Sequence, residues 1–268
     1  MAASLVVAGG GRMGGALVAG LLGRGGWAVA QLAVVEPDPG RRAELVASHP
    51  GLFVVDAPAP ELADAGGGAV LAVKPEVAEP ACRALGAAGI TRVLSIVAGM
   101  PTARLEGVLP GGAVVVRAMP NMPALVGAGM SAISGGSNAG AVDLDWAERV
   151  LGAVGAVVRV PERQLDAVTA LSGSGPAYVF LVVEALVEAG VLAGLPRELS
   201  ATLTLETVRG AAALLAETGE PPESLRADVT SPGGTTAAGL RALEARGVRS
   251  AFLEAVLAAA ERARALAR

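Results

Sequence analysis

Three residue types that carry much of protein chemistry are almost missing from this 268-residue chain: it has one cysteine (Cys82), one histidine (His49) and one lysine (Lys74). A lone cysteine excludes an intramolecular disulfide. A lone histidine, at a position read as a surface loop, excludes a histidine-nucleated metal site and a Ser-His-Asp triad. No metal is expected, and the chemistry is expected from a bound cofactor. A surplus of positive charge is absent too. Lys+Arg number 21 against 25 Asp+Glu, net −4, with no basic run, so there is no electrostatic footprint for nucleic acid or an anionic membrane, and the expected partners are small molecules. The mean hydropathy of +0.56 comes from Ala, Val and Gly spread throughout. Glu184 and Glu188 interrupt the longest apolar span, residues 177–192, and no transmembrane helix is expected. The N-terminus has no basic region and runs straight into Leu5-Val6-Val7-Ala8-Gly9, which reads as a strand rather than a signal peptide. A cytoplasmic location is expected.

What is present divides the chain in two. Up to about residue 160, short apolar runs at 4–8, 31–35, 52–55, 69–73, 93–97 and 114–117 alternate with Ala/Leu/Glu/Arg stretches at 14–23, 40–48 and 77–85. Several runs are apolar without alternation, as in strands buried on both faces, and their spacing is that of βαβ units. Segments 132–133 and 157–160 supply edge strands. After Pro161 the β-branched clusters thin and helices are expected at 164–171, 176–189, 196–218, 235–246 and 250–267. The fold class is therefore α/β: an N-terminal Rossmann-like, doubly wound parallel sheet over residues 1–160, followed by an all-helical dimerisation and substrate domain over 161–268. The segment from Tyr178 to Glu188 is apolar nearly all round, which a lone small domain cannot leave uncovered. A homodimer built through the helical half is expected.

Gly9-Gly10-Gly11-Arg12-Met13-Gly14 matches G-x-G-x-x-G directly between the first strand and first helix. Gly9 allows the tight turn, Gly11 the close approach of backbone to a pyrophosphate, and Gly14 the packing of helix on strand. Glu36 closes the second strand 22 residues after Gly14, where an acid takes the ribose hydroxyls of NAD and repels a 2′-phosphate; this leans toward NADH. Arg41 and Arg42, close behind, either engage that phosphate or are solvated, so NADH or NADPH stays open. Lys74, in Ala72-Val73-Lys74-Pro75, lies at the C-terminal end of a strand, on the ligand edge of such a sheet. So do Val97-Ala98-Gly99 and Arg117-Ala118-Met119-Pro120-Asn121, with Asn121 the polar group that stands out. Far along the chain, Val229-Thr230-Ser231-Pro232-Gly233-Gly234-Thr235-Thr236 is a hydroxyl-rich glycine loop opening a helix. It reads as a carboxylate pocket, although the same residues also describe an ordinary capped loop.

These motifs coincide with those of a family. With Leu171-Ser172-Gly173-Ser174-Gly175-Pro176-Ala177-Tyr178, they occur in the order and spacing of pyrroline-5-carboxylate reductases, which the whole chain resembles. The resemblance implies a Rossmann domain, an interlocking helical domain, dimers that assemble further into a decamer, and reduction of a cyclic imine to L-proline. It also implies the site. Thr236 offers its hydroxyl to the ring nitrogen, and Ser231 with the backbone of Gly233, Gly234 and Thr235 holds the substrate carboxylate. Ser174, Gly175 and Pro176 border the nicotinamide, with Glu162 or Asp166 nearby. Gly9, Gly11, Arg12, Met13, Gly14, Glu36, Ala72, Val73, Lys74, Pro75, Ala98, Gly99 and Asn121 line the dinucleotide. The chain departs from the family at Glu36-Pro37-Asp38, where Ser, Asn or Arg for NADPH is usual.

Three rivals remain in the sequence. A β-hydroxyacid dehydrogenase needs a lysine in its helical half, and Lys74 lies in the first half. A non-catalytic dinucleotide sensor has no use for the intact Ser231–Thr236 pattern. A reductase of the six-membered piperideine carboxylate differs by one methylene, worth only about 1–3 kcal/mol of discrimination.

Overall fold

The structure, a computed structural model, describes residues 3–60 and 62–266. The chain runs β1 (Ala3–Ala8), α1 (Arg12–Gly23), β2 (Leu32–Val35), α2 (Pro39–Ser48), β3 (Phe53–Val55), β4 (Ala63–Leu71), α3 (Ala78–Ala87), β5 (Arg92–Ser95), α4 (Thr102–Glu106), β6 (Val114–Met119), β7 (Gly129–Gly135), α5 (Ala141–Gly152) and β8 (Gly155–Arg159). Helical structure follows: α6 (Leu165–Val168), a wide π turn (Thr169–Gly173), α7 (Gly175–Leu192), α8 (Arg197–Thr218), α9 (Pro222–Asp228), α10 (Thr235–Ala245) and α11 (Val248–Leu266). The chain forms two compact units: one runs to Ser174 and resumes at Ala259, and the other is Gly175–Ala258.

The first unit is one eight-stranded sheet in the order β3-β2-β1-β4-β5-β6-β7-β8. Its first six positions follow the 3-2-1-4-5-6 order of a dinucleotide-binding fold, with the order reversing between β1 and β4. The sheet is parallel except where β7 runs antiparallel to β6. Two apolar layers cover its faces. Leu17, Val18 and Leu21 of α1 with Trp146, Val150 and Leu151 of α5 pack on one side, and Cys82 and Leu85 of α3 with Leu105 of α4 on the other. This accounts for strands that read as continuous apolar runs: both faces are buried.

Several elements differ from the sequence expectation for local reasons. Gln31, expected at the head of the second strand, lies in a tight helical turn (Val29–Gln31) before it. The expected strand at 93–97 stops at Ser95. The fourth strand was expected from residue 69 and instead begins at Ala63, through Gly66-Gly67-Gly68. Glycine weakens a strand on its own, but the indole of Trp146 lies over Gly68, where a Cβ would stand 2.4 Å from Cζ2, and the glycine is what lets α5 close on the sheet. The helices α4, α5 and α9 were not anticipated. The end of the last expected helix, Ala267, lies outside the described residues.

In the second unit, α7 is 18 residues long and only its Val187 is fully buried. Phe180, Leu181 and Leu186 are exposed, as are Phe252, Leu253 and Leu257 of α11, Leu181 by 65% and Leu257 by 68%. Tyr178, Leu181, Val182, Val248, Phe252 and Ala255 line a wholly apolar groove of about 280 Å³. The helical stretch Glu162–Leu192 contains a window long and apolar enough, by length and composition alone, to cross a membrane. One such helix is weak evidence of a membrane span, and it does not overturn the expectation of no transmembrane helix drawn from Glu184 and Glu188.

Candidate active site

The C-terminal edge of the sheet gathers five loops. The first is the turn from β1 into α1. Gly9 has φ +104°, open to glycine alone without strain, and its N–H donates to Val35 O at 2.8 Å. A Cβ on Gly9 would stand 2.5 Å from Ala72 O, and one on Gly14 only 1.9 Å from Gly9 O. Gly14 is therefore demanded by the packing of helix on strand, and Gly9 by its φ and by the close approach of the chain just past β4. Gly11 is different. It caps α1 with φ −63°, no side chain bonds back to the helix, and a Cβ there would meet nothing within 4 Å. The space beside Gly11 and the first N–H groups of α1 lies open, and those N–H groups carry the positive end of the helix dipole. Arg12 is exposed at this end, and Met13 packs on the core.

Glu36, just past β2, turns its carboxylate back to this loop. Oε2 accepts from the Gly10 N–H at 2.8 Å and Oε1 from the Asp38 N–H at 2.9 Å. Arg42 is occupied locally, donating to the carbonyls of Glu36 and Pro37 at 2.9 and 2.8 Å. Arg41 pairs with Glu44 at 2.8 Å on the surface. Gly10, Gly11, Arg12, Arg41, Glu44 and His49 are among the residues around a cleft of about 330 Å³. His49 directly follows α2, in a bend at the surface, and is one of the residues around this cleft.

The loops after β4, β5 and β6 complete the edge. Ala72 N–H donates to Ala8 O at 2.8 Å, tying Ala72-Val73 to the glycine turn, while Lys74 and Pro75 are exposed at the start of a short helical turn. Ala98 is exposed, and Gly99 has φ +70°. Asn121 does not face outward: Nδ2 donates to Ser172 O at 3.2 Å, and Oδ1 accepts from Met130 N–H at 2.8 Å.

One cluster was only half seen in the sequence. Arg117, on β6 and 7% exposed, donates to Glu162 Oε1 at 3.2 Å, with Asp166 Oδ1 at 3.8 Å. Glu162 also accepts from the Thr102 N–H and hydroxyl, both at 2.8 Å. Burial pushes the Glu162 carboxyl up, but the Thr102 and Arg117 hydrogen bonds outweigh it and hold the group below the usual carboxylate range. Thr102 and the role of Arg117 escaped sequence reasoning. The available signal was a single arginine inside the apolar strand Val-Val-Val-Arg-Ala-Met.

In the second unit, the loop between α9 and α10 is a tight turn. Gly234 N–H donates to Ser231 O at 3.1 Å around Pro232 and Gly233, the latter with φ +70°, the pattern of a type II turn. Gly234 caps α10 with no side-chain bond. A Cβ there would stand 2.4 Å from Ser231 Oγ, so the glycine lets that hydroxyl fold over the helix start. Ser231 and Thr235 are exposed and Thr236 is half-buried. The Ser231 hydroxyl thus folds over a helix N-terminus that has no side-chain cap and that begins with Thr235 and Thr236.

A Rossmann-order sheet with an open glycine turn, followed in the chain by a helical unit with a hydroxyl-rich glycine turn at a helix N-terminus, is the architecture of a dinucleotide-dependent oxidoreductase. Residues 162–266 match the model for pyrroline-5-carboxylate reductase dimerisation, and residues 4–99 match that for NADP oxidoreductase, coenzyme F420-dependent. The pyrroline-5-carboxylate reductase of Synechocystis sp. is 44% identical over 99% of both chains. A solved pyrroline-5-carboxylate reductase from Coxiella burnetii superposes with TM-score 0.92 at 34% identity, covering 100% of both chains. A pyrroline carboxylate reductase of Plasmodium falciparum, solved with NADP bound, gives TM-score 0.85 at 31% identity over 98% of both chains. The chain belongs to the pyrroline-5-carboxylate reductase family, oxidoreductases acting on a CH–NH bond that reduce 1-pyrroline-5-carboxylate to L-proline with a nicotinamide dinucleotide.

Two measurements follow from this geometry. Gly14→Ala forces backbone to move and should lower the melting temperature by several degrees, on the order of 1–3 kcal/mol of overpacking, whereas Gly11→Ala should melt like wild type; equal melting of the two would contradict the contacts described. Glu162 has its folded pKa held down, so the stability it contributes is present above its unfolded value of 4.5 and is lost as pH falls. Urea midpoints at neutral pH and below that value should fall less in Glu162→Gln than in wild type, and an equal fall would contradict the cluster's role.

Proposed function

We propose that the reduction runs with the dinucleotide on the β1–α1 turn and the imine carboxylate on the Ser231–Thr236 turn. The observation that carries this reading is Gly11. It is a glycine that nothing within the protein requires, with open space where a Cβ would project, and the close approach of a pyrophosphate accounts for it. Gly9, Gly11, Arg12, Met13 and Gly14 hold the diphosphate. Ala72, Val73, Lys74, Pro75, Ala98 and Gly99 line the rest of the edge through their backbone.

Glu36 supports a preference for NADH. Its carboxylate is fixed beside Gly10 by two N–H donors, and a 2′-phosphate close to it would meet negative charge, while Arg41 of the adjoining cleft is paired with Glu44.

The bound reduced nicotinamide supplies a hydride to the C=N carbon of the imine. The chain's own groups do the rest. Ser231 and the N–H groups of Gly233 and Thr235 hold the carboxylate, which fixes the face of the ring that is presented, while the Gly234 N–H, expected from the sequence to join them, closes the turn on Ser231 O instead. Thr236 places its hydroxyl at the ring nitrogen, which carries the proton and ends as a secondary amine. Ser174 borders the reacting ring. Neither His49 nor Cys82 is used; burial pushes the Cys82 thiol up to about 11, so it stays an inert thiol, in keeping with a cytoplasmic setting.

The working unit is a homodimer formed by residues 161–268, with dimers assembling further into a decamer. The support is the apolar surface of α7 and α11, where Phe180, Leu181, Leu186, Phe252, Leu253 and Leu257 are all exposed and call for a covering partner.

Thr236→Ala should lower kcat by about 10- to 1000-fold, as loss of one positioned hydrogen bond does, with dinucleotide affinity kept. Ser231→Ala should instead raise KM for the imine. A wild-type kcat in Thr236→Ala would remove Thr236 from the mechanism. Gly11→Ala, folded as above, should bind dinucleotide at least about tenfold more weakly, because the methyl group would occupy the approach to the pyrophosphate.

A further inference from the structure

Pro176 leaves a carbonyl without its usual donor. A helical proline has no N–H for the carbonyl four residues earlier, and its ring crowds that oxygen; here the oxygen belongs to Ser172. The chain widens into the π turn Thr169–Gly173, closed by the Ser174 N–H on Thr169 O at 2.8 Å. The Ser172 carbonyl is then taken from outside the helix. Asn121 Nδ2 donates to it at 3.2 Å and lies 3.3 Å from Ser172 Oγ. The other end of the same amide accepts from Met130 N–H at 2.8 Å, at the start of β7. These partners fix which way the amide points, since an N–H demands the oxygen and a carbonyl demands the NH₂. Met119 closes the other side: a Cβ on Gly173 would stand 2.5 Å from Met119 Cε.

We propose that Asn121 is a positioning residue whose side chain clamps the Ser172–Ser174 turn to β7 and the loop after β6, and so sets where Ser174 stands, instead of binding the dinucleotide itself. Both ends of the amide are spent inside the protein, which is what a clamp requires and what a ligand-binding amide lacks. The inference rests on the reading that Ser174 borders the reacting ring. It also accounts for the residue type. An aspartate at 121 keeps the Met130 bond but turns a lone pair toward the Ser172 carbonyl, whereas a protonated aspartic acid has the donor and acceptor of the amide in the same places.

The test is turnover of pyrroline-5-carboxylate and dinucleotide affinity for wild type, Asn121→Ala and Asn121→Asp between about pH 5 and 8, with unfolding midpoints as the control on folding. The clamp predicts that Asn121→Ala loses at least about tenfold in kcat while its Kd for NADH and NADPH stays within about twofold. It also predicts that the kcat deficit of Asn121→Asp relative to wild type shrinks at least about threefold toward the acid end, as the carboxyl gains its proton. A weakened Kd with unchanged kcat in the alanine variant would return the side chain to the cofactor, and a deficit of Asn121→Asp that is flat with pH would remove the donor role; either overturns the proposal. Should Asn121→Asp fail to fold at neutral pH, the kcat and Kd of Asn121→Ala decide. Wild-type turnover in Ser174→Ala would instead refute the reading of Ser174, independently of what the Asn121 variants do.

Discussion

The contact on which the rest of the molecule depends is the one between Gly14 and the Gly9 carbonyl, where a single added methyl would stand 1.9 Å from oxygen. Because α1 lies that close to β1, its first N–H groups open directly at the strand's C-terminal end, at the point where the sheet order reverses. Any side chain at position 14 lifts the helix, and the dipole end and the ligand crevice would then no longer coincide. The other loops of the edge are referred to this turn. Ala72 reaches it through Ala8 O, and Glu36 through Gly10 N–H.

Charge is handled at this edge by pairing rather than by excess. With one lysine and a net charge of −4, the protein offers no broad positive field to a dinucleotide, so affinity must come from aimed backbone groups near the turn. Three of the charged side chains there are committed to internal partners, while Arg12 and Lys74 are exposed. Arg42 bonds to carbonyls, Glu36 to two N–H groups, and the buried Arg117 to Glu162 and Asp166. A buried guanidinium without those carboxylates would be strongly destabilising. The same cluster seizes Thr102 and therefore fixes the start of α4, directly after the Ala98-Gly99 loop. Electrostatics and loop placement are one device in this unit.

Much of this was legible in the sequence because its signals are local. The glycine turn, the acid closing the second strand and the hydroxyl-rich loop before α10 each declare themselves within eight residues. The apolar runs of β1, β2, β5 and β6 declare burial on both faces. The first half of β4 was hidden because Gly66-Gly67-Gly68 denies a strand locally, and only Trp146, far along the chain, explains it. The antiparallel turn of β7 was equally hidden, since a short run carries no direction. Asn121 stood out as a polar group at the edge, but its partners lie 9 and 51 residues away, and nothing local distinguishes an amide that binds a ligand from one that replaces a proline's missing donor. α5 is a case of available information: its Trp146-Ala147 and Val150-Leu151 pairs, at helical spacing, are buried.

In the proposed reaction, the Glu36 carboxylate beside the glycine turn reads the ribose while the chain reduces a cyclic imine. The most direct measurement is kcat/KM for NADH and for NADPH, side by side with pyrroline-5-carboxylate, in wild type and Glu36→Ala. The account predicts higher kcat/KM with NADH for wild type, and a shift of at least about tenfold toward NADPH in the variant, as removal of one close unscreened repulsion gives. A wild type that prefers NADPH, with a ratio unmoved by Glu36→Ala, would contradict it.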